Sequence, residues 1–397
     1  LKIFFIDLFS FILFLFALLF SVMVHELGHF LTARHFHMKV TEFFIGFGKK
    51  LFSFKRGETE YGVKAIPAGG YCRIAGMTPV EEIDEADLDR AFYRSSIWKR
   101  ITVLIAGSFG HFVVAIVLLF GLLVGLGEES IAPIVGKVPN CFAATCGNTP
   151  STPASIAGLQ NKDVIEQING KYFSDVSQFT DAIQNNTGKK IDILILRNKK
   201  KVHVFLTPIA QLSNGKTVGK IGIQLQPYVI LAFHRDNPIT AAGKTVAEIA
   251  TMTKESLLAI PSIPAKVPGI VRAIFGHTKR DINGPVGVVG IARVTAQTFA
   301  ANDLSTQEKI GQFISLIVSL NVFVGIFNLI PLLPLDGGHV LIAVIDGVRR
   351  RKAAKKGVEA IPFDLEKMTP FIIVVFGILA ALSLLLIVAD IVNPVHI

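Results

Sequence analysis

The sequence predicts a polytopic α-helical membrane protein of four transmembrane helices, with a membrane-associated β-segment and a folded α+β domain outside the membrane. Three observations predict it. Apolar residues gather in four long blocks, the stretches between them are polar and locally basic, and one of those stretches is long enough to be a domain. Hydrophobic residues make up 51% of the chain and charged residues only 18%, against about 25% charged in ordinary soluble domains.

The blocks cover residues 8–24, 101–127, 310–335 and 370–389. Each approaches or exceeds the roughly 20 residues that carry a helix across a bilayer. The second and third contain no Lys, Arg, Asp or Glu. The first is expected to be a retained span. Only Lys2 provides a charged leader, and HELGH follows the block where a signal peptide would have a small-residue cleavage site.

Charge sets the expected orientation. Residues 31–100 hold a dozen Lys and Arg, among them Lys49, Lys50, Arg90 and Arg100, and residues 339–369 hold Arg349, Arg350, Arg351 and Lys352. Short basic loops stay cytoplasmic, whereas long domains cross largely regardless of charge. Both termini and the long central stretch are therefore expected outside. The net charge of +10 then reads as topology and contact with anionic lipids. It does not read as nucleic-acid binding, since no base-stacking module accompanies it. Cys72 falls in a reducing loop, while Cys141 and Cys146 fall outside, where a disulfide is allowed.

The chemistry is carried by SVMVHELGHFLTARH at the end of the first block. His25 and His29 are four apart, so a helix puts both on one face. Imidazoles so spaced can share a zinc ion, with Glu26 beside it as a base. By itself the motif arises by chance often enough to be only suggestive. Its position at the end of an apolar run, where ionisable groups are costly, favours function. A catalytic zinc takes a third protein ligand and leaves one position open. The third block ends in NLIPLLPLDGG, where Asp336 follows Pro331 and Pro334 and precedes Gly337 and Gly338. Alone, this pattern marks a helix end. But the first and third blocks run the same way, so HELGH and LDGG fall at one membrane depth.

These two motifs, in this order of segments, resemble the signatures of the bacterial site-2 protease family, and of its RseP-type group in particular. The resemblance covers nearly the whole chain. It implies an intramembrane zinc metalloendopeptidase in the bacterial inner membrane, with Zn2+ as cofactor, His25, His29 and Asp336 as metal ligands and Glu26 as general base. It implies substrate contacts at Asn328, Asn321 and Pro331, although the spacing of Asn321 departs from the group's usual second asparagine. GSFGH at 107–111 departs too, with His111 where many relatives have asparagine, and either a contact behind the metal ligands or simple interhelical packing suits it. Residues 39–100 begin with a strand-rich segment similar to the family's membrane-reentrant sheet. Residues 134–208 resemble a PDZ domain, which binds peptides or excludes bulky substrates. Residues 209–308 are expected to add strand and an amphipathic helical region broken by Pro261, Pro264 and Pro268. The full expected order is 1–38, first helix; 39–100, β-segment and linker; 101–127, second helix; 134–208, PDZ; 209–308; 309–338, third helix; 339–369, cytoplasmic loop; 370–393, fourth helix. Implied partners are single-pass membrane proteins already shortened by another protease, such as anti-sigma factors or remnant signal peptides, together with membrane lipids and no nucleic acid. The alternatives are a catalytically inactive PDZ-containing membrane scaffold, or a metal transporter, which would spread its ligands along several spans.

Overall fold

The computed structural model describes residues 2–77, 83–128, 131–142, 151–173, 176–213, 216–230, 233–276, 280–281, 284–302, 304–358 and 366–394. The chain divides into two compact units, one of residues 1–120 with 242–397 and one of residues 121–241.

The first apolar block and the His-Glu motif lie on a single helix, α1 (Lys2–His35). With 34 residues it is about 51 Å long at 1.5 Å per residue, more than a bilayer's hydrocarbon needs. Arg34 and His35 occupy its last turn, where cations oppose the negative end of the helix dipole. A long antiparallel hairpin follows, β1 (Val40–Arg56) and β2 (Thr59–Ile74), turning at Gly57. The strands fold over so that Phe43 pairs with both Cys72 and Tyr61; Phe43 and Tyr61 pack against Phe30 of α1, whereas Leu51, Phe52 and Phe54 are exposed. Helix α2 (Ile97–Gly121) then runs back along α1. The antiparallel sense follows from the contacts: Val103 meets His29, Ala106 meets Gly28, and Gly110 meets Val24. Glycine permits the approach, since a Cβ on Gly28 would lie 2.2 Å from the Ala106 carbonyl oxygen.

The unit of residues 121–241 is built on a five-stranded antiparallel sheet of order β6-β5-β4-β3-β9. In chain order it comprises β3 (Ile131–Lys137), α3 (Pro153–Ile156), β4 (Val164–Ile168), α4 (Val176–Gln184), β5 (Ile191–Arg197) and β6 (Lys200–Leu206). A small hairpin, β7 (Ile209–Ser213) and β8 (Lys216–Lys220), precedes the edge strand β9 (Gln224–Ile230). Alternating Ile191, Ile193 and Ile195 point into a core with Val135, Ile165 and Phe179. Arg197 donates two hydrogen bonds to the buried Asp163 carboxylate, at 2.7 and 2.6 Å. Cys141 is disulfide-bonded; Cys146 lies outside the described residues.

The remaining helices belong with α1 and α2. The proline-rich segment forms α5 (Pro238–Ala259) and α6 (Ile263–Phe275), parted by a 3-10 turn at Ile260–Ser262. Two consequences of proline are visible there: Pro261 and Pro264 sit at helix starts, where a missing N–H costs nothing, and Pro268 lies inside α6. By length and composition Pro238–Phe275 is a fifth candidate span beside the four expected ones. Helix α7 (Val288–Ala300) lies against α1. Helix α8 (Thr306–Asn328) opens with a capping box between Ser305 and Glu308. It runs parallel to α1, because Phe14 packs with Ile317, Ser21 bonds Asn321, and His25 approaches Asp336. The third block does not stay helical through residue 338: α8 ends at Asn328, a proline-containing turn follows, and Asp336 opens α9 (Asp336–Lys355). The last helix is α10 (Thr369–Val392).

Candidate metal centre

Three elements converge on one point. On α1, His25 and His29 are each 8% exposed, with Nε2 atoms 3.1 Å apart. From the first turn of α9, Asp336 Oδ2 lies 3.2 Å from His25 Nε2 and 3.4 Å from His29 Nε2. Among the described residues, these three form the one group of His, Cys, Asp or Glu with the spacing to hold a metal ion. Tight packing presents the aspartate. A Cβ on Gly337 would lie 2.2 Å from the Leu329 carbonyl oxygen, and one on Gly338 would lie 2.5 Å from Leu333 N. Only glycine lets α9 start so close to the turn before it.

The donor set fits a zinc ion. His29 Nδ1 is 2.8 Å from the Val103 carbonyl oxygen. A carbonyl only accepts, so Nδ1 carries the proton and Nε2 offers a lone pair. Asp336 Oδ2 is buried and has no hydrogen-bond donor. Lone pairs and a carboxylate crowded together repel unless a cation lies among them. Ligands about 2.0–2.1 Å from a tetrahedral zinc are about 3.3 Å from one another, which matches the observed 3.1–3.4 Å. The floor of the site is backbone: a Cβ on Gly107 of α2 would sit 2.3 Å from His29 Nε2 and 2.8 Å from His25 Cε1.

Glu26, next to His25 on α1, faces the strand β2. Gly70 of β2 lies against it, close enough that a Cβ would be 3.7 Å from Glu26 Cγ. Glu26 thus sits beside the two histidines on α1 and against a strand.

The other expected site residues separate into two kinds. Asn328 is the last residue of α8 and partly exposed, and Pro331 lies exposed in the turn before Asp336. Both face space that a second chain can reach. Asn321 is 1% exposed. Its Nδ2 donates to Ser21 Oγ at 3.0 Å and to the Ile317 carbonyl at 2.8 Å, and its Oδ1 lies 2.9 Å from His111 Nδ1. Its polar atoms are engaged inside the helix cluster, so a substrate contact expected of Asn321 does not agree with this burial. Sequence reasoning passed over Gly107 as a site residue and left the partner of His111 open. The first had a signal in the repeated glycines of GSFGH; the second depends on which helices meet.

Comparison with known proteins gives the family of the chain. The profile of Peptidase family M50 matches residues 13–364. Zinc metalloprotease Rip1 of Mycobacterium tuberculosis is 34% identical over 408 residues, covering 97% of this chain and 98% of that protein. Its counterpart in Mycolicibacterium smegmatis is 35% identical over 406 residues with the same coverage. The regulator of sigma-W protease RasP of Bacillus subtilis is 27% identical over 414 residues, covering 84% of this chain and 89% of that protein. The chain belongs to peptidase family M50, the site-2 protease family. It is a multi-pass membrane zinc metalloprotease with Zn2+ as its cofactor, and its action is proteolysis of membrane proteins.

Proposed function

We propose that the catalytic centre consists of His25, His29 and Asp336 as zinc ligands and Glu26 as general base, and that it cuts single-pass membrane proteins within the bilayer near its cytoplasmic face. The observation that carries this reading is the meeting of two imidazole Nε2 atoms and a carboxylate oxygen within 3.4 Å, with a second carboxylate on the helix of the histidines. A zinc ion held by His25, His29 and Asp336 would supply polarisation of a peptide carbonyl and a water whose pKa is lowered to about 7. Glu26 takes the proton from the attacking water and delivers it to the departing amine, so one water is consumed and one peptide bond broken. The substrate must be unwound where it is cut, and its freed backbone groups need partners in hydrocarbon. Asn328 supplies an amide at the end of α8. The strand β2, whose Gly70 lies against Glu26, pairs with β1, and the open edge of its residues 70–74 can accept an extended chain by strand addition.

Four crossings are supported over five. Helix α2 is antiparallel to α1 and α8 is parallel to it, so the end of α2 and the start of α8 lie on the same side. The chain between them therefore crosses an even number of times. Were Pro238–Phe275 to cross, its return would fall to α7, whose 13 residues reach about 20 Å against a core of about 30 Å. With the basic loops 31–100 and 339–369 inside, both termini and the unit of residues 121–241 are outside, in a bacterial inner membrane.

That outer unit reads as a PDZ domain. A groove of about 620 Å³ runs between α4 and the residues leading into edge strand β9, lined by Phe179, Ile183, Ile221 and Ile223. It suits peptide capture, and the unit's bulk also suits exclusion of substrates not yet shortened outside. The name of the Bacillus relative says it regulates sigma-W; anti-sigma factors and remnant signal peptides are the corresponding substrate classes here. The test is cleavage of a shortened single-pass substrate by purified protein in detergent, with Glu26→Gln and zinc chelation as two arms. Cutting that survives in Glu26→Gln would sink the mechanism. A wild type that binds zinc yet cuts none of several transmembrane sequences would favour the scaffold.

A further inference from the structure

A metal-bound histidine nearly always donates its second ring N–H to an oriented acceptor, which fixes the ring. His29 has the Val103 carbonyl. His25 Nδ1 is buried and has no such partner. The ring next to it on the α2 side is His111, 2% exposed, with its centroid 5.1 Å from that of His25.

Hydrogen-bond logic fixes the state of His111. The Ile317 carbonyl can only accept, so the Asn321 atom facing it is the amide nitrogen. Ser21 Oγ donates to the Ala17 carbonyl at 3.0 Å, so toward Asn321 it accepts. Both hydrogens of the Asn321 amide are thereby assigned, and the atom left for His111 Nδ1 is the acceptor Oδ1, at 2.9 Å. His111 Nδ1 must carry a proton. In the neutral ring Nε2 then has a lone pair and nothing to donate, and it has no partner among the described residues.

An unpartnered donor and an unpartnered acceptor thus lie on adjacent buried rings. An imidazole nitrogen is about 1.1 Å from its ring centre, so two rings joined edge to edge by a bond of about 2.9 Å have centroids about 5 Å apart. The observed separation of 5.1 Å is compatible with such a bond once the rings turn their nitrogens toward each other. His111 is outside the group that can hold the metal, so it acts behind a ligand.

We propose that His111 is a positioning residue that accepts the Nδ1–H of His25, completing a one-directional chain from His25 through His111 to Asn321 that braces the metal ligand against α2 and α8. The inference rests on the metal reading above. It also gives Asn321 a role, because an amide that holds the tautomer of His111 keeps a lone pair facing the ligand ring.

The experiment is zinc affinity of the full-length protein in detergent, measured by competition with a chelator. His111→Phe keeps a ring and removes the acceptor; its affinity is expected to fall about 10–100-fold, with one zinc still bound at saturation. Thermal unfolding of the zinc-free protein is expected to stay unchanged, which separates bracing from packing. His111→Gln, which restores an acceptor oxygen, is expected to recover part of the loss. Asn321→Leu is expected to weaken zinc less than His111→Phe, and the double variant no more than His111→Phe alone. Unchanged affinity in His111→Phe, or an additive loss in the double variant, would overturn the proposal. So would complete loss of the zinc site, which would make His111 a ligand. If His111→Phe does not fold, Asn321→Leu decides: weakened zinc supports the chain and unchanged zinc overturns it. A wild type that takes up no zinc would overturn the metal reading and this inference together; altered zinc affinity is read without any cleavage assay.

Discussion

Two aspartates in the helical unit, Asp390 buried and Asp336 partly buried, make opposite bargains with their surroundings. Asp390, 1% exposed near the end of α10, is satisfied from within the protein. Arg280 Nη1 donates to Oδ1 at 2.6 Å and the Gly290 N–H to Oδ2 at 2.8 Å, while Arg280 also binds the Pro285 carbonyl. Gly287 and Gly290 leave room for the carboxylate, since a Cβ on either would lie within 2.8 Å of it. Asp346 on α9 has the same kind of environment, with Arg100 at 2.6 Å and Arg350 at 3.0 Å. Asp336 instead faces two imidazole nitrogens and no arginine. A buried charge with a matched partner ties helices together; one without a partner waits for a cation. The difference separates structure from site without reference to any motif.

The largest effect expected from this comparison is chemical. Glu26→Gln should lower cleavage by at least about 10²–10⁴-fold with zinc content unchanged, whereas Asp336→Leu should lose zinc and cleavage together. Metal analysis beside a gel assay distinguishes them; zinc loss in Glu26→Gln would contradict the assigned roles. Gly107→Ala comes next. Its methyl group would intrude to 2.3 Å from His29 Nε2, so zinc occupancy should fall sharply, while Gly121→Ala, which meets nothing within 4 Å, should not alter it.

The comparison itself is sharpened by stability. Asp390→Leu strands Arg280 in a buried place and should cost about 3–5 kcal/mol, read as a lower unfolding temperature of the zinc-free protein. Asp336→Leu removes a carboxylate that has no partner without metal, so zinc-free unfolding should stay level or rise. Equal destabilisation by the two would erase the distinction drawn here.

The smallest effect lies in the hairpin turn. Glu58 is held below the usual carboxylate range by hydrogen bonds from Arg90, with its burial opposing. A carboxylate so lowered adds stability above its unfolded pKa and loses it as pH falls through the folded one. Both side chains are more than a third exposed, so screening leaves at most about 1 kcal/mol. Glu58→Gln should flatten the acid limb of the stability curve by no more than that.

Much of the site was legible in the chain. His25 and His29 share a face because a helix turns every 3.6 residues, and the acid of LDGG stands out because charge is rare next to a span. The end of α8 was less legible. Pro331 and Pro334 signal a break, yet the helix stops at Asn328 and Asp336 begins another, since the close contacts of Gly337 and Gly338 are made with backbone rather than neighbours in a pattern. Asn321 was misleading: nearness to Asn328 suggested substrate contact, and its burial between α1 and α2 depends on packing that no local pattern encodes. Pro238–Phe275 was ambiguous for a related reason, because composition permits a crossing and the directions of other helices argue against one.

The sequence by itself determined which segments are apolar enough for a bilayer, the i, i+4 pair of imidazoles with its glutamate, and the basic loops from which an orientation is expected. These depend on composition and helical period, which are local. Tertiary structure decided that Asp336 meets the two histidines, that Gly107 forms the wall behind them, and that Asn321 serves His111. Those relations join residues 25 with 336 and 111 with 321, and only the packing of α1, α2 and α8 brings such distant atoms within hydrogen-bonding range.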